Sequence, residues 1–331
     1  MTYTGFFSKK WAIVGFTCLL YSTSFSAFGS QTDVLEVGSP LKGELSHLSS
    51  EKNNIKPQPL DINVPCDMGD YLTGYVESGD MMMMDVIDAT GELSRRLVDH
   101  KGGKQNFYLV AENCDATWRL SGSGAYQVVL EQRISLAEQS SEGSLESSLE
   151  SSDALLSPKV SALRESLEKG QNSDSFWADI EVLGTPLIED TAAGTVMTFL
   201  ARGNYNNVKL LGAPSNNHES LQQLADSDTW YKSFVVPKDT HFSYQIAFNV
   251  PQLPEPGFAR RVAIRAVAQA DPHNHHPWPR SAIDKYTTKS TIALKDAPKR
   301  PWVDAQTDIP KGALSTFNIL PQKSPTSKVV G

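Results

Sequence analysis

Apolar and polar residues alternate over short runs that end at Gly, Asn, Asp, Ser or Pro along most of the chain. Such runs occupy residues 71–77 and 81–88 in the first half, and 195–201 and 242–248 in the second. Alternation with a period of two places one set of side chains on each face of a pleated strand, so these runs predict β-strands. Short strands at this spacing are typical of β-sandwiches. The pattern predicts a mainly β chain with two sandwich domains, the second with an immunoglobulin-like layout.

One segment, residues 157–169, has helical periodicity instead. Ser157 is a suitable N-cap and Pro158 suits the first helical position, while Gly170 supplies a stop. The apolar residues that share one face of this predicted helix are Val160, Leu163 and Leu167.

Before it, residues 136–156 are rich in Ser and Glu and poor in bulky apolar residues. Such a segment cannot offset the entropy cost of ordering, so it predicts a flexible linker.

Four consecutive methionines occupy positions 81–84. Methionine is both a soft-metal ligand and a flexible filler of protein cores. Strand alternation points only two of the four to one face, which favours the core interpretation.

The N-terminus has the features of a secretory signal peptide. Lys9 and Lys10 precede an apolar run at 11–21, which is shorter than the about 20 residues needed to cross a bilayer. Small residues then predict cleavage after Gly29, so residues 1–29 are the predicted signal peptide. The alternative is a retained membrane anchor. We expect a periplasmic or secreted protein with no membrane association after cleavage.

Composition indicates which classes of partner are unsuitable and which oxidation state the cysteines have. The chain of 331 residues suggests about two domains, and its formal net charge of −8 disfavours nucleic-acid binding. Of three cysteines, Cys18 lies in the signal peptide, which leaves Cys66 and Cys114. An exported protein meets an oxidising environment, so this pair predicts a disulfide. Two buried free thiols are the alternative.

The first domain, predicted over residues 30–135, carries loose motifs at 37–45, 74–80 and 124–130. With these motifs, residues 33–134 resemble the bacterial pre-peptidase C-terminal domain. That resemblance implies a small jelly-roll-like sandwich that serves as an accessory module.

The second half carries a more specific series of motifs. They are, in chain order, Phe-Trp at 176–177, Gly-Thr-Pro-Leu-Ile-Glu at 184–189, Val-Met-Thr-Phe-Leu-Ala-Arg-Gly at 196–203, Asp-Thr-Trp at 228–230, Phe-Ser-Tyr-Gln-Ile at 242–246, Ala-Asp-Pro-His-Asn at 270–274, His-Pro-Trp at 276–278, Ala-Pro at 297–298 and Pro-Trp at 301–302. With this order, residues 157–315 resemble the N-terminal domain of enterochelin (enterobactin) esterases. The resemblance implies an immunoglobulin-like domain at 157–303 that stands in front of an α/β-hydrolase. Together they open ferric catecholate siderophores for iron acquisition.

Four residues within these motifs are the candidates for substrate binding: Arg202, Trp230, Asp271 and Trp278. Each also has a structural interpretation, since tryptophans commonly pack cores and an Arg-Gly pair after a strand is often a solvated turn. The same choice applies to Arg260, Arg261 and Arg265, which are either a basic patch for an anionic siderophore or ordinary surface residues on a strand edge.

Three histidines between Asp271 and Trp278 raise the question of a metal site. Their spacing falls in a proline-bounded turn, and no distant carboxylate or cysteine cluster accompanies them. We predict no metal site and no directly bound cofactor. Ferric iron is expected only as part of a siderophore.

A hydrolase domain needs the Gly-x-Ser-x-Gly nucleophile motif, which the sequence does not contain. Residues 309–318 look like the start of a hydrolase, so residues 304–331 are predicted as a linker and a truncated hydrolase start. No catalytic residue is therefore predicted. The favoured function is the non-catalytic N-terminal portion of an exported siderophore esterase, with the hydrolase domain missing or separately encoded. The alternative is a stand-alone periplasmic module that binds a siderophore or another ligand. An accessory module for carbohydrate or protein is a third interpretation.

Overall fold

The computed structural model describes residues 33–45, 58–139, 155–253, 257–301 and 312. The predicted signal peptide, most of the predicted linker and nearly all of the predicted hydrolase start lie outside the described residues. Within the described ranges the chain is mainly β, as predicted. None of the helices found there has the length and hydrophobicity to cross a bilayer.

The described strands and helices fall into two units, residues 33–139 (the first unit) and 155–301 (the second unit). The first unit contains β1 (Asp33–Val34), β2 (Leu41–Leu45), β3 (Leu60–Asn63), β4 (Tyr71–Ile87), β5 (Leu93–Val110), β6 (Thr117–Gly122) and β7 (Gly124–Ile134). The second unit contains α1 (Pro158–Glu168), α2 (Asp174–Leu183), β8 (Leu187–Thr191), β9 (Gly194–Arg202), β10 (Val208–Gly212), β11 (Gln222–Gln223), β12 (Thr229–Val236), β13 (His241–Phe248), α3 (Phe258–Val267), β14 (Ala268–Gln269), β15 (Pro277–Trp278) and β16 (Lys289–Ala293).

The first unit is one continuous sheet in the order β1-β3-β6-β4-β7-β2, with β5 paired along β4. The first half of β4 pairs with β7 and its second half with β6, and the register shifts between Ser78 and Met82. The two layers expected of a sandwich are thus joined, because the long strands β4 and β5 run through both. Side chains from both halves form a single core, which includes Met82 and Met84. This burial agrees with the core interpretation of the methionine run.

Cys66 and Cys114 form the predicted disulfide, with their Cα atoms 5.6 Å apart. The bond links the segment before β4 to the segment after β5. Both cysteines also pack against the core of the first unit. The bond therefore closes one end of the long hairpin that organises this sheet.

The second unit contains two sheets. One has the order β8-β9-β12-β11, and the other has the order β10-β13-β16-β15 with β14 beside β13. Their side chains meet in one core that includes Phe199, Trp230 and Tyr244. The first sheet thus contains the first, second, fifth and fourth strands of the unit in that order, which is the order of the four-stranded sheet of immunoglobulin domains. The second sheet contains the third, sixth, ninth and eighth strands, with the seventh beside the sixth.

Helix α1 begins and ends as predicted. Ser157 caps it by accepting a hydrogen bond from the Val160 amide at 3.2 Å, and Pro158 is its first residue. Val160 and Leu163 are buried against Trp177 and Ile180 of α2. The two helices therefore form a second apolar layer with residues of β8 and β9.

The sequence pattern did not predict α2 and α3, since residues 176–303 were interpreted as strand-like. The expectation that Arg260, Arg261 and Arg265 lie on a strand edge is wrong, because they lie on helix α3. Its buried residues are Val262, Ala263, Ile264 and Ala266. Ala259, Val262, Ala263 and Ala266 recur at spacings of three and four, which is a helical pattern, and Ala and Arg are strong helix formers.

The two units pack against each other through α3. Tyr71 of β4 lies in an apolar cluster with Leu253, Ala263 and Ala266, and burial raises the pKa of Tyr71 to about 12. Arg95 of β5 donates to the backbone oxygen of Ala266 at 2.5 Å, and its guanidinium lies 3.9 Å from the ring centre of Tyr286. The units therefore share a packed interface that includes a partly buried cation.

Candidate functional site

A surface depression of about 790 Å³ surrounds Trp278 in the second unit. We call it the Trp278 depression. Its walls come from the start of β13, the turn that carries β15, strand β16 and the segment after it. The lining residues are His241, Phe242, Ser243, His275, His276, Pro277, Trp278, Arg280, Thr291, Ile292, Ala293, Pro298 and Arg300.

The position of Trp278 follows from its place in a two-residue edge strand. Trp278 pairs with Lys289 of β16, and Thr291 donates to the His276 carbonyl from both its amide and its hydroxyl, at 3.0 and 2.8 Å. β15 has no partner strand on its other side among the described residues. Trp278 is therefore 54% exposed, whereas most tryptophans in the described residues are buried. An exposed indole on a fixed edge strand offers a ring face to a ligand.

The depression is basic. Arg280, Arg300, His241, His275 and His276 contribute nitrogen-bearing side chains, and no aspartate or glutamate is among the lining residues. Within the described part of the chain, the guanidinium groups of Arg280 and Arg300 make no ion pair or hydrogen bond with a side chain or backbone atom. Their charge is therefore available to an anionic ligand in solution.

Asp271 anchors the turn that forms one wall of the depression. Its carboxylate accepts hydrogen bonds from the hydroxyls of Thr185 and Tyr244 at 2.6 and 2.7 Å, and from the His273 amide at 3.0 Å. Burial raises the pKa of Asp271 above its ordinary value. Asn274 extends the same network by donating to the Thr185 carbonyl at 2.6 Å. The structure thus buries Asp271 within the turn, where it positions the backbone and is not among the residues that line the Trp278 depression.

Arg202 lies at the end of β9, in the sheet that does not contain Trp278, and forms ion pairs with two carboxylates. Its Nε lies 2.8 Å from Asp228 Oδ2 and its Nη2 lies 2.5 Å from Asp174 Oδ1. Partial burial opposes ionisation of Asp228, but hydrogen bonds from Ser173 and Arg202 outweigh it and lower the pKa of Asp228. The positive charge of Arg202 is thus already compensated within the protein.

Trp230 is 4% exposed and belongs to the core between the two sheets. Its indole Nε1 donates to the Gly203 carbonyl at 3.0 Å. A ligand cannot stack on a ring in this position without unpacking the core. Of the four predicted substrate-binding residues, the structure therefore brings only Trp278 to the depression.

The histidines of the turn have separate roles. His273 lies 2.9 Å from Glu181 through its Nδ1 and stacks near Trp177 at 4.9 Å, whereas His275 and His276 line the depression. Among the described residues no group of three or more His, Cys, Asp or Glu side chains could hold a metal ion.

Sequence reasoning missed the basic residues that flank the motifs. Arg280 follows the His-Pro-Trp motif by two positions, and Arg300 lies between the Ala-Pro and Pro-Trp motifs. His241 and Phe242 reach the same wall because His241 pairs with Ala293 across β13 and β16. The short distance along the chain between these arginines and the family-like motifs was a usable signal, whereas the pairing of β13 with β16 was not visible in the sequence.

The second unit thus combines two β-sheets around one core with a basic, aromatic surface site. Residues 196–303 match the family model described as "Enterochelin esterase, N-terminal", so this stretch is similar to that domain. The resemblance inferred from the ordered motifs is thereby confirmed. No comparison tests the pre-peptidase resemblance of the first unit.

Solved structures of enterobactin esterases also match. The enterobactin esterase from Shigella flexneri, crystallised in the presence of enterobactin, is 21% identical with a TM-score of 0.32, over 42% of this chain and 40% of that one. The ferric enterobactin esterase from Salmonella typhimurium is 22% identical with a TM-score of 0.30, over 41% of this chain and 40% of that one. This chain therefore spans about 40% of the length of those proteins. No curated protein matches it.

Proposed function

We propose that the second unit binds a ferric catecholate siderophore at the Trp278 depression, as the ligand-binding portion of an exported siderophore esterase that serves iron acquisition. The observation that carries this proposal is the combination of an exposed indole with two uncommitted arginines in one depression of a unit similar to the enterochelin esterase N-terminal domain. Ester cleavage is assigned to no residue of the described chain.

The chemistry of the depression suits an anionic aromatic ligand. A catecholate complex of iron presents flat rings and negative charge, for which Trp278 offers a stacking surface and Arg280 and Arg300 offer compensating charge. The volume of about 790 Å³ lies within the range of about 300–1,000 Å³ typical of small-molecule sites. Iron enters this proposal as cargo enclosed by the siderophore, with no protein ligand.

The Cys66–Cys114 disulfide supports export, because disulfides persist in oxidising compartments and are rare in the cytoplasm. Together with the predicted signal peptide, it supports our proposal that the protein acts in the periplasm or outside the cell. A stand-alone binding module in the same compartment is the second candidate. It is favoured by the fact that the depression is built entirely from the second unit and includes no nucleophile–base pair.

Binding is tested by equilibrium dialysis of the purified chain against ferric enterobactin, read by the visible absorbance of the ligand. We expect micromolar binding by the wild type. Arg280→Gln combined with Arg300→Gln should weaken it about tenfold or more, since each lost charge contact in a partly exposed site contributes on the order of 1 kcal/mol. Trp278→Ala should weaken it as well.

The matched control is Arg261→Gln, which removes an exposed arginine of α3 that does not line the depression. Equal weakening by this control would mean that only net charge matters. No binding by the wild type would overturn the proposal outright. Adding a separately produced esterase hydrolase domain to the loaded chain separates the two candidates. Faster release of iron with the chain than without it is expected of the ligand-binding portion of an esterase, and no change is expected of a stand-alone module.

A further inference from the structure

A second cavity, of about 740 Å³, lies between the two units and has a different chemistry. We call it the interdomain cleft. The first unit contributes Met68, Leu136 and Gln139 to its lining, and the second unit contributes Tyr205, Phe248 and Gln269. Both units are therefore needed to form it.

Six carboxamide side chains line this cleft: Gln139, Asn206, Asn207, Asn249, Gln252 and Gln269. Several of these side chains are held by a hydrogen bond from the amide nitrogen alone, as Gln139 and Gln252 show. Gln139 Nε2 donates to the Gly69 carbonyl at 2.8 Å, and Gln252 Nε2 donates to the Val250 carbonyl at 2.9 Å. Their Oε1 atoms have no hydrogen-bond partner among the described residues. The amides are thus positioned, with acceptors left over for a ligand.

Gln269 sharpens this point, because its Oε1 is buried and has no hydrogen-bond partner in the described structure. A buried acceptor without a partner destabilises a protein, so most such groups in native proteins are satisfied by protein, water or ligand. Gln269 lies on the short strand β14, whose pairing with Ile246 of β13 fixes its backbone. Gln269 is therefore a fixed residue of the cleft lining whose Oε1 is enclosed by the protein and lacks a donor there.

Charge is neutralised within the cleft. Glu112 and Lys285 are the only charged residues in its lining, and Lys285 Nζ lies 3.0 Å from both carboxylate oxygens of Glu112. The hydroxyl of Tyr286 also donates to Glu112 at 2.6 Å. This pairing leaves little net field to attract an ion, in contrast to the Trp278 depression.

The cleft also has an apolar surface. The rings of Tyr205 and Phe248 lie 4.7 Å apart, and the Tyr205 hydroxyl donates to the Arg202 carbonyl at 3.0 Å, which orients the ring. Across the cleft, Met68 and Leu136 are 74% and 52% exposed. Apolar and aromatic surface beside uncharged amides suits a ligand with both hydroxyl groups and C–H faces.

We propose that the interdomain cleft binds a neutral carbohydrate, a segment of two or three uncharged sugar rings. Sugar hydroxyls both donate and accept, so they match carboxamides that offer both groups, such as those of Gln139 and Gln252, whose Oε1 atoms have no partner among the described residues. The flat C–H faces of the rings pack on Tyr205 and Met68. This site is independent of the siderophore proposal, because it shares no lining residue with the Trp278 depression.

The test is isothermal titration of the intact chain with maltotriose, cellotriose and chitotriose. We expect saturable binding of at least one of these trisaccharides. Gln269→Leu should weaken that binding at least tenfold while the melting temperature stays the same or rises, since it removes an unsatisfied buried acceptor. Asn206→Ala, at an exposed lining position, is a second variant that does not touch the core and should weaken binding severalfold.

Two controls keep the outcome specific. Gln171→Leu removes an exposed amide outside the cleft, and Trp278→Ala alters only the other site, so both should bind the trisaccharide as the wild type does. The proposal is overturned if none of the three trisaccharides binds, or if Gln269→Leu and Asn206→Ala both keep wild-type affinity. The first result would mean that water alone satisfies Gln269. Neither result bears on ferric siderophore binding.

Discussion

The two units are built from the same alternating sequence pattern, yet their cores are closed in different ways. In the first unit a single sheet folds around its core and the Cys66–Cys114 bond closes one end of the β4–β5 hairpin. The second unit has no cysteine among its residues and joins two separate sheets. There the two sheets share an apolar core, and a buried carboxyl adds a polar link, because Asp271 accepts hydrogen bonds from Thr185 before β8 and from Tyr244 of β13. A covalent bond thus supplements the core of one unit, and a buried carboxyl supplements the core of the other.

Removing the disulfide should give the largest effect, and it should be confined to the first unit. A bond that joins residues 48 positions apart stabilises by about 4 kcal/mol in the chain-entropy estimate. Calorimetry with and without reductant should show an early transition, which hydrogen exchange assigns to β4 and β5. The paired variant Cys66→Ser with Cys114→Ser should reproduce it. Two free thiols in the exported, denatured protein would contradict the disulfide.

Asp271→Ala should give the next largest effect, now confined to the second unit. The change leaves the hydroxyls of Thr185 and Tyr244 without their acceptor, which costs about 3 kcal/mol of the free energy of unfolding. Urea unfolding followed by hydrogen exchange in β9 measures it. Asp226→Ala, at an exposed position of the same unit, should change stability by no more than about 0.5 kcal/mol. Equal effects from the two variants would remove Asp271 as the polar counterpart of the disulfide.

The buried carboxyl also gives the second unit a distinctive pH dependence. Burial raises the pKa of Asp271, so the folded protein keeps this proton at pH values where the unfolded chain has released it. Relative to Asp271→Asn, the wild type should therefore lose stability as the pH rises from the ordinary carboxyl value through the raised one. Unfolding free energies of both proteins across this range measure the difference. If the stability of the wild type relative to Asp271→Asn stays constant or increases as the pH rises, the buried-carboxyl account is contradicted.

Arg95→Met tests whether the two units unfold together. The variant keeps apolar volume but loses the hydrogen bond to the Ala266 carbonyl and the stacking on Tyr286, worth about 1–2 kcal/mol together. We expect the two calorimetric transitions to move apart, with little change in the intrinsic stability of either core. Lys104→Met, which removes another cation stacked on a tyrosine but within the first unit, is the matched control. Unchanged coupling in Arg95→Met would mean that the apolar cluster around Tyr71 alone holds the units together.

The smallest effect is expected from Arg202→Gln. Its ion pairs with Asp174 and Asp228 are partly exposed, so their loss should cost about 1 kcal/mol or less. Ferric enterobactin binding should stay at the wild-type value, because Arg202 lies away from the Trp278 depression. Dialysis and urea unfolding on the same preparation measure both quantities. Loss of binding with unchanged stability would restore Arg202 as a ligand contact.

Local features of the sequence predicted several elements correctly. Alternation identified the strands, and the sequence around Ser157 and Pro158 identified α1, because a cap and a first-turn proline act on neighbouring backbone atoms. The sequence pattern missed helix α3 because several of its buried residues are alanines, whose small side chains give a weak hydrophobic signal. Its three arginines were considered only for their charge. Its buried face is defined by contact with the first unit, which no local pattern reports.

The candidate sites show the same division more clearly. The motif that contains Trp278 was visible in the sequence, but its exposure was not, because tryptophans in such motifs commonly pack in cores. The sequence did not show whether Arg202 or Arg280 is available to a ligand, because that depends on which carboxylates the fold brings near each guanidinium. Arg202 forms ion pairs with Asp174 and Asp228, whereas no described carboxylate forms an ion pair with Arg280.

The sequence by itself determined the mainly β character, the helix at 158–168, the pairing of Cys66 with Cys114 and the similarity to the enterochelin esterase N-terminal domain. These follow from periodicity, from local capping and from ordered motifs. Only the tertiary structure decided that the first sheet is continuous, that Asp271 is buried within its turn and that amides from both units meet in one cleft. The physical reason is that burial and charge compensation depend on residues distant in the chain, and folding alone brings those residues together.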